Sequence, residues 1–168
     1  KATGQRVLDY LTPRLFAPLG IEGATWERCP RGVDTGGWGL SLRTEDIAKF
    51  GQLLIARGRW EGRQVIAESW VEEATKAQVG NDRPREPPDW CQGDGYQFWR
   101  SRHGGYRGDG AFGQCCVVMP EQDAVLAMTS GAQNMQAILD AAWRTLLPAM
   151  AEAPKVVKKH QADLRRAL

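Results

Sequence analysis

Four serines offer hydroxyl nucleophiles in this chain, and the residues that follow each one decide what it can do. They read Ser41-Leu42-Arg43-Thr44, Ser69-Trp70-Val71-Glu72, Ser101-Arg102-His103-Gly104 and Ser130-Gly131-Ala132-Gln133. None has Lys at the third following position, so no S-x-x-K pair exists in which an amine one helical turn away takes the hydroxyl proton. No G-x-S-x-G elbow is present either, and the two histidines, His103 and His160, make a triad with none of these serines. His103 falls in a turn and is expected to be exposed. The cysteines, at 29, 91, 115 and 116, show no C-x-x-C spacing and no neighbouring histidine cluster, which argues against structural zinc. Cys115 and Cys116 are neighbours in a strand-like run and should point to opposite faces, as small hydrophobes rather than as a disulfide.

Two glycine-rich stretches are the remaining places where backbone could approach a ligand. In Gly108-Asp109-Gly110-Ala111-Phe112-Gly113-Gln114 the plain structural reading is a glycine-rich strand entry. In Gly36-Gly37-Trp38-Gly39 the indole of Trp38 either walls a pocket or plugs the core while the glycines serve turns. The other tryptophans read as core and surface packing, not as a carbohydrate or nucleic-acid platform.

The elements that must position these stretches follow from periodicity and punctuation. Thr3 to Leu11 carries Val7, Leu8 and Leu11 at helical spacing, and Thr12-Pro13 signals a second short helix through Phe16, ended by Pro18 and Gly20. Trp26 to Gly39 reads as a long irregular loop. Thr44 is expected to cap a helix with Ile47, Phe50, Leu53 and Leu54 on one face and Gly58 as its stop. Ser69 and Glu72 form a capping-box signature for a helix through about Ala77, and Val79 to Pro88 reads as a surface loop. Tyr96, Phe98 and Trp99 suggest a short strand, Gly113 to Met119 and Ala124 to Ser130 a hairpin turning at Pro120-Glu121-Gln122-Asp123. Met135, Ile138, Leu139, Ala142, Trp143 and Leu146 give an amphipathic helix over Gln133 to Leu147, with Pro148 as its stop. Helices, then antiparallel strands, then a covering helix make an α+β architecture, an antiparallel sheet packed against helices.

The chain has 168 residues, 42% hydrophobic and 25% charged, which is the composition of about one globular domain. Lys plus Arg number 22 and Asp plus Glu 20, so the net charge of +2 gives no electrostatic reason to expect nucleic acid or an anionic membrane. No apolar run nears the roughly 20 residues that span a bilayer. Residues 1–150 are read as the folded unit and 151–168 as a charged tail whose basic segment, Lys155 to Arg166, is solvated. Lys1 opens the chain with no initiator Met and no signal peptide, so a native N-terminus is expected to have been removed, and the compartment stays open.

Two stretches carry a resemblance. Gly36-Gly37-Trp38-Gly39-Leu40-Ser41-Leu42-Arg43-Thr44-Glu45-Asp46-Ile47-Ala48-Lys49-Phe50-Gly51-Gln52-Leu53-Leu54 is similar to the loop-and-helix segment of β-lactamase-related serine hydrolases, the superfamily of penicillin-binding proteins and class C β-lactamases. Gly108 to Gln114, followed by the hairpin with Pro120-Glu121, looks like that family's third active-site motif and the strand pair behind it. Thr3-Gly4-Gln5 and Pro18-Leu19-Gly20-Ile21 resemble the helices that follow its second motif, so the resemblance runs to about Met150.

The resemblance implies an acyl-serine chemistry of which this chain holds one side. The S-x-x-K motif is missing, and so is the Tyr-x-Asn motif, since Tyr10, Tyr96 and Tyr106 are followed two positions on by Thr, Phe and Gly. The third motif is expected on an edge strand, where its backbone N–H, here that of Ala111, completes an oxyanion hole. Gly108-Asp109-Gly110 stands where penicillin-recognising members carry Lys-Thr-Gly. Loss of that cation favours an esterase or amide hydrolase over a true β-lactamase. Gly108, Asp109, Gly110, Phe112 and Trp38 are the implied substrate-side residues, and no cofactor or metal is implied. Family members are often extracytoplasmic. The expectation is a C-terminal portion of such a hydrolase, inactive alone, whose parent acts on a small-molecule ester or amide. The rival is a non-catalytic interaction domain derived from the same fold. Either way, missing neighbour strands would leave an edge open to a homodimer or to an N-terminal fragment.

Overall fold

The computed structural model describes residues 3–83 and 86–151. The basic segment Lys155 to Arg166 therefore lies outside the described residues.

Helix α1 spans Val7–Leu11, four residues later than the pattern from Thr3 suggests. The cause is Asp34, which holds Arg6 in extended backbone through a 3.2 Å ion pair and accepts a hydrogen bond from Leu8 N at 3.2 Å. One side chain thereby satisfies a free N–H of the first turn from across the chain. The following Thr12–Phe16 is a π-helical turn, with Ala17 N donating to Thr12 O at 2.8 Å past a proline that has no N–H to offer.

The glycine loop is closed at its base by β1 (Thr25–Trp26) and β2 (Leu40–Ser41), which pair antiparallel. Helix α2 spans Thr44–Ile55. Thr44 is not its cap: Arg43 holds that position without a side-chain hydrogen bond, and the Thr44 hydroxyl lies 3.2 Å from that of Thr129. Glu45 and Asp46 favour the helix N-terminus electrostatically instead. Leu53 and Leu54 are buried, the first with Phe16, Leu19 and Ile21, the second with Val71. After α2 come a small hairpin, β3 (Arg59–Trp60) with β4 (Arg63–Gln64), and α3 (Glu68–Thr75). The capping box is not formed, because the helix begins one residue before Ser69, with Ala67 at the cap position.

The main sheet has four strands, β5 (Trp99–Arg100), β6 (Tyr106–Gly110), β7 (Gln114–Met119) and β8 (Ala124–Met128), antiparallel and in that order. Tyr96 and Phe98 belong to a turn before β5, in which Gly95 N donates to Phe98 O at 2.8 Å and Gln97 is left-handed at φ 62°. The strand with the third-motif residues is β6, and it is not an edge strand. Its outer neighbour β5, however, pairs only with Tyr106 and Arg107, so from Gly108 onward β6 has a partner on one side alone.

Alternation along β7 feeds two cores. Cys115, Val117 and Met119 meet Leu139, Ala142 and Trp143 of α4 (Met135–Ala151), while Val118 joins Tyr106, Leu54 and Val71 on the opposite face. The Val, Leu and Met side chains among them contribute about 1.5–3 kcal/mol each on burial. Cys115 and Cys116 do face opposite ways and are free thiols, the Cys116 Sγ lying 3.4 Å from Ile47 O. Pro148 does not stop α4 but lies within it. Leu146 and Leu147, packed on the β7 cluster, hold the turn before it in place despite the lost hydrogen bond.

Candidate functional site

The turn from β6 to β7 is short and held by several hydrogen bonds. Gly110 pairs with Gln114, and Ala111, Phe112 and Gly113 close the chain between them. Phe112 and Gly113 are both left-handed, at φ 66° and 91°, and a Cβ on Gly113 would stand 2.5 Å from Ile138 Cδ1 of α4. Only glycine combines that dihedral with that approach. The Gln114 side chain then ties the turn down. Its Nε2 donates to Ala111 O at 2.8 Å, its Oε1 accepts from Ser130 N at 3.0 Å, and Ala132 N donates to Phe112 O at 2.9 Å. Ala111 itself is exposed, and its N–H has no acceptor among the described residues.

Beside this turn is a cavity of about 540 Å³ between β2, α2 and the sheet. Leu42, Ile47, Phe50, Leu54 and Phe98 make its apolar wall, and Gly108, Asp109 and Gln114 its sheet wall. Gln114 thus connects the cavity to the Ala111 turn. Of the residues singled out from sequence, Gly108 and Asp109 line this space, whereas Gly110, Ala111, Phe112 and Trp38 do not. A Cβ on Gly108 would meet nothing within 4 Å, but one on Gly110 would lie 3.3 Å from Gln114 Cβ. The open position on the strand is therefore 108. Phe112 is 56% exposed and Trp38 70%, so the Trp38 indole neither walls this cavity nor plugs the core.

Among the described residues no Lys, His or Tyr lines the cavity, so none of them places an amine, imidazole or phenol base beside Ser41 on its wall. Burial pushes the Cys115 thiol up to about 11 and that of Cys116 up to about 12, which keeps both protonated near neutrality. Burial also raises Asp109, against the pull of Arg107. Ser101 is buried and accepts from Arg107 Nη1 at 3.0 Å. His103, exposed as expected, packs edge-on to Trp143 at 5.3 Å. Among the described residues no group of three or more His, Cys, Asp or Glu side chains could hold a metal ion, and no helix is long and apolar enough to cross a membrane.

Sequence reading missed the polar groups behind this wall. Arg107 is fully buried, with Nε 2.9 Å from Asp109 Oδ2, Nη1 donating to Asp89 O at 2.9 Å, and its guanidinium 4.4 Å from the Trp90 ring centroid. Asp89, also fully buried, accepts from Arg102, Gln136 and Trp143. The one available signal was the i, i+2 spacing of Arg107 and Asp109, which puts them on one face once the segment is known to be a strand.

Comparison with known proteins agrees with this architecture. A proposed 6-aminohexanoate-dimer hydrolase from Bacillus anthracis superposes with a TM-score of 0.74 at 20% identity, covering 91% of this chain and 41% of its own. A proposed β-lactamase from Bacteroides dorei DSM 17855 superposes with a TM-score of 0.64 at 15% identity, covering 85% of this chain and 52% of its own. The chain thus spans about half or less of the length of these relatives. No curated protein matches it. The Beta-lactamase family model matches residues 1–149. With an α+β fold shared by both solved structures, that match shows that the chain belongs to the β-lactamase family of hydrolases.

Proposed function

We propose that this chain is the C-terminal portion of a serine hydrolase that acts on an ester or amide through an acyl-serine, and that it supplies the oxyanion side of the site. The observation that carries the reading is the N–H of Ala111, an exposed residue, which has no acceptor among the described residues and sits in a turn tied by Gln114, whose side chain also lines the cavity beside Gly108 and Asp109. A donor held in place before reaction stabilises a developing oxyanion without reorganisation. Gly108, Asp109 and Gly110 then form the strand along which the acyl group lies. The nucleophile and its base come from sequence outside this chain, which alone is inactive. With Gly at 108 no cation waits for a β-lactam carboxylate, which favours an esterase or amide hydrolase.

The test uses a polypeptide in which this chain is preceded by its S-x-x-K segment, assayed on a p-nitrophenyl ester. Ala111→Pro deletes the N–H and should lower kcat by about 10²–10³-fold. Unchanged kcat with the fold intact would remove Ala111 from the site.

A further inference from the structure

The stretch of β6 facing the cavity has an anchoring problem. Beyond Arg107 it has lost β5 and is paired only with β7, and two of its three residues, Gly108 and Gly110, have no side chain with which to hold on. Asp109 is the exception. Its side chain is 10% exposed and accepts from Arg107 Nε at 2.9 Å, two residues back on the same face of the strand. Arg107 in turn is anchored elsewhere, with Nη1 donating to Asp89 O at 2.9 Å, Arg100 O at 3.2 Å and Ser101 Oγ at 3.0 Å. The guanidinium is therefore a fixed post and the carboxylate a tether on it.

We propose that Arg107 is a positioning residue which, through the Asp109 carboxylate, holds the Gly108–Gly110 edge and so the direction of the Ala111 N–H. The proposal rests on the reading of that N–H as the oxyanion donor. Arg107 touches no reacting atom; it acts through Asp109. A buried guanidinium suits the task because its planar fork serves several acceptors at once, where an ammonium serves as a point charge. Its charge also has only Asp109 within ion-pair distance among the described residues, so the tether and the charge balance are the same contact.

The experiment is ¹⁵N relaxation on this chain, in wild type and in Asp109→Asn, Arg107→Gln and Arg107→Lys. Wild-type order parameters at Gly108, Gly110 and Ala111 should be near the rigid value of about 0.85, and Asp109→Asn should drop them below about 0.6. Val117 and Leu139 should keep their wild-type values in the same sample. Arg107→Gln should loosen the same three amides, and Arg107→Lys, which keeps the charge opposite Asp109, should restore them at least in part. If Arg107→Gln does not fold, Asp109→Asn decides. Unchanged order parameters across 108–111 in Asp109→Asn overturn the proposal. A drop shared equally by Val117 and Leu139 also overturns it, since that is a general loss of structure. No substrate enters this measurement, so failure of the hydrolase reading shows separately, in the Ala111→Pro assay.

Discussion

Trp143 Nε1 of α4 donates to Asp89 Oδ2 at 3.0 Å, joining two buried side chains that are 54 residues apart. The same carboxylate accepts from Arg102 Nη2 at 2.8 Å and Gln136 Nε2 at 2.7 Å, so a single aspartate fastens the covering helix to the segments on either side of β5. Trp143→Phe keeps most of the apolar body and removes one donor; it should cost about 1–3 kcal/mol. Asp89→Ala leaves the partly buried Arg102 without its main partner and should cost about 3–5 kcal/mol. Urea unfolding followed by tryptophan fluorescence measures both, and the ordering, Asp89→Ala worse than Trp143→Phe, is the expected result.

The buried Asp89 and the partly buried Asp109 should pull the pH dependence of stability in opposite directions. At Asp89 burial acts to raise the pKa, but the hydrogen bonds from Arg102, Gln136 and Trp143 outweigh it and hold the group below its ordinary 3.8. The unfolded chain then binds the proton first, so this contribution is present above pH 3.8 and is lost as pH falls through the folded value. At Asp109 burial outweighs the Arg107 charge and the pKa lies above 3.8. Here the native state holds the proton longer, so stability falls as pH rises from 3.8 through the folded value. Subtracting the stability curve of Asp109→Asn from that of wild type, between pH 3 and 7, should leave a difference that declines with pH; a rising difference would mean the Arg107 pair dominates burial.

At Gly51, α2 lies close against the sheet. A Cβ there would overlap Val125 Cγ1 of β8 and lie 2.8 Å from Cys116 Sγ. Alanine is intrinsically better than glycine in a helix by about 1 kcal/mol, yet overpacking at a helix–sheet contact costs about 1–3 kcal/mol. Gly51→Ala should therefore destabilise, and Val125→Ala in the same chain should recover part of the loss through a favourable coupling of about 0.5 kcal/mol or more. Additive effects in the double-mutant cycle would show that the two residues do not compete for the space.

What could be read in advance followed strong periodicity. Leu53 and Leu54 of the α2 stripe, Cys115, Val117, Val118 and Met119 of the β7–β8 hairpin, and Leu139, Ala142 and Trp143 of the α4 stripe are buried as their spacing selects, while Phe50, strand β8, Met135 and Ile138 are half-buried. Strand β6 was harder, because Arg107-Gly108-Asp109-Gly110 has the composition of a turn and becomes a strand only through pairing with β7. The caps at Thr44 and Ser69 were misplaced for a related reason: the first turns of α2 and α3 are set by tertiary packing, which shifts the helix start by a residue. Pro148 reads as a stop because its local cost is large, but Leu146 and Leu147 pack on the β7 cluster and α4 continues through it. In the site, the cavity wall at Gly108–Asp109 was legible as a motif, whereas the buried Asp89 and Arg107 contacts bridge segments far apart in sequence and leave no periodic trace.

Strand β8 ends the sheet, and among the described residues its outer edge has no partner. An open strand edge invites pairing with another chain. Light scattering across a concentration series should show self-association, and binding of a dye specific for apolar surface should fall as association rises. A monomer at every concentration with no dye binding would mean that α2 and the loop after β8 shield the edge sufficiently.

On the proposal above, this chain carries the oxyanion side of an acyl-serine site and not its nucleophile. Treatment of the isolated chain with a fluorophosphonate, followed by intact-mass analysis, tests it most directly. No covalent adduct is expected. An adduct on Ser41, Ser69, Ser101 or Ser130 would contradict it.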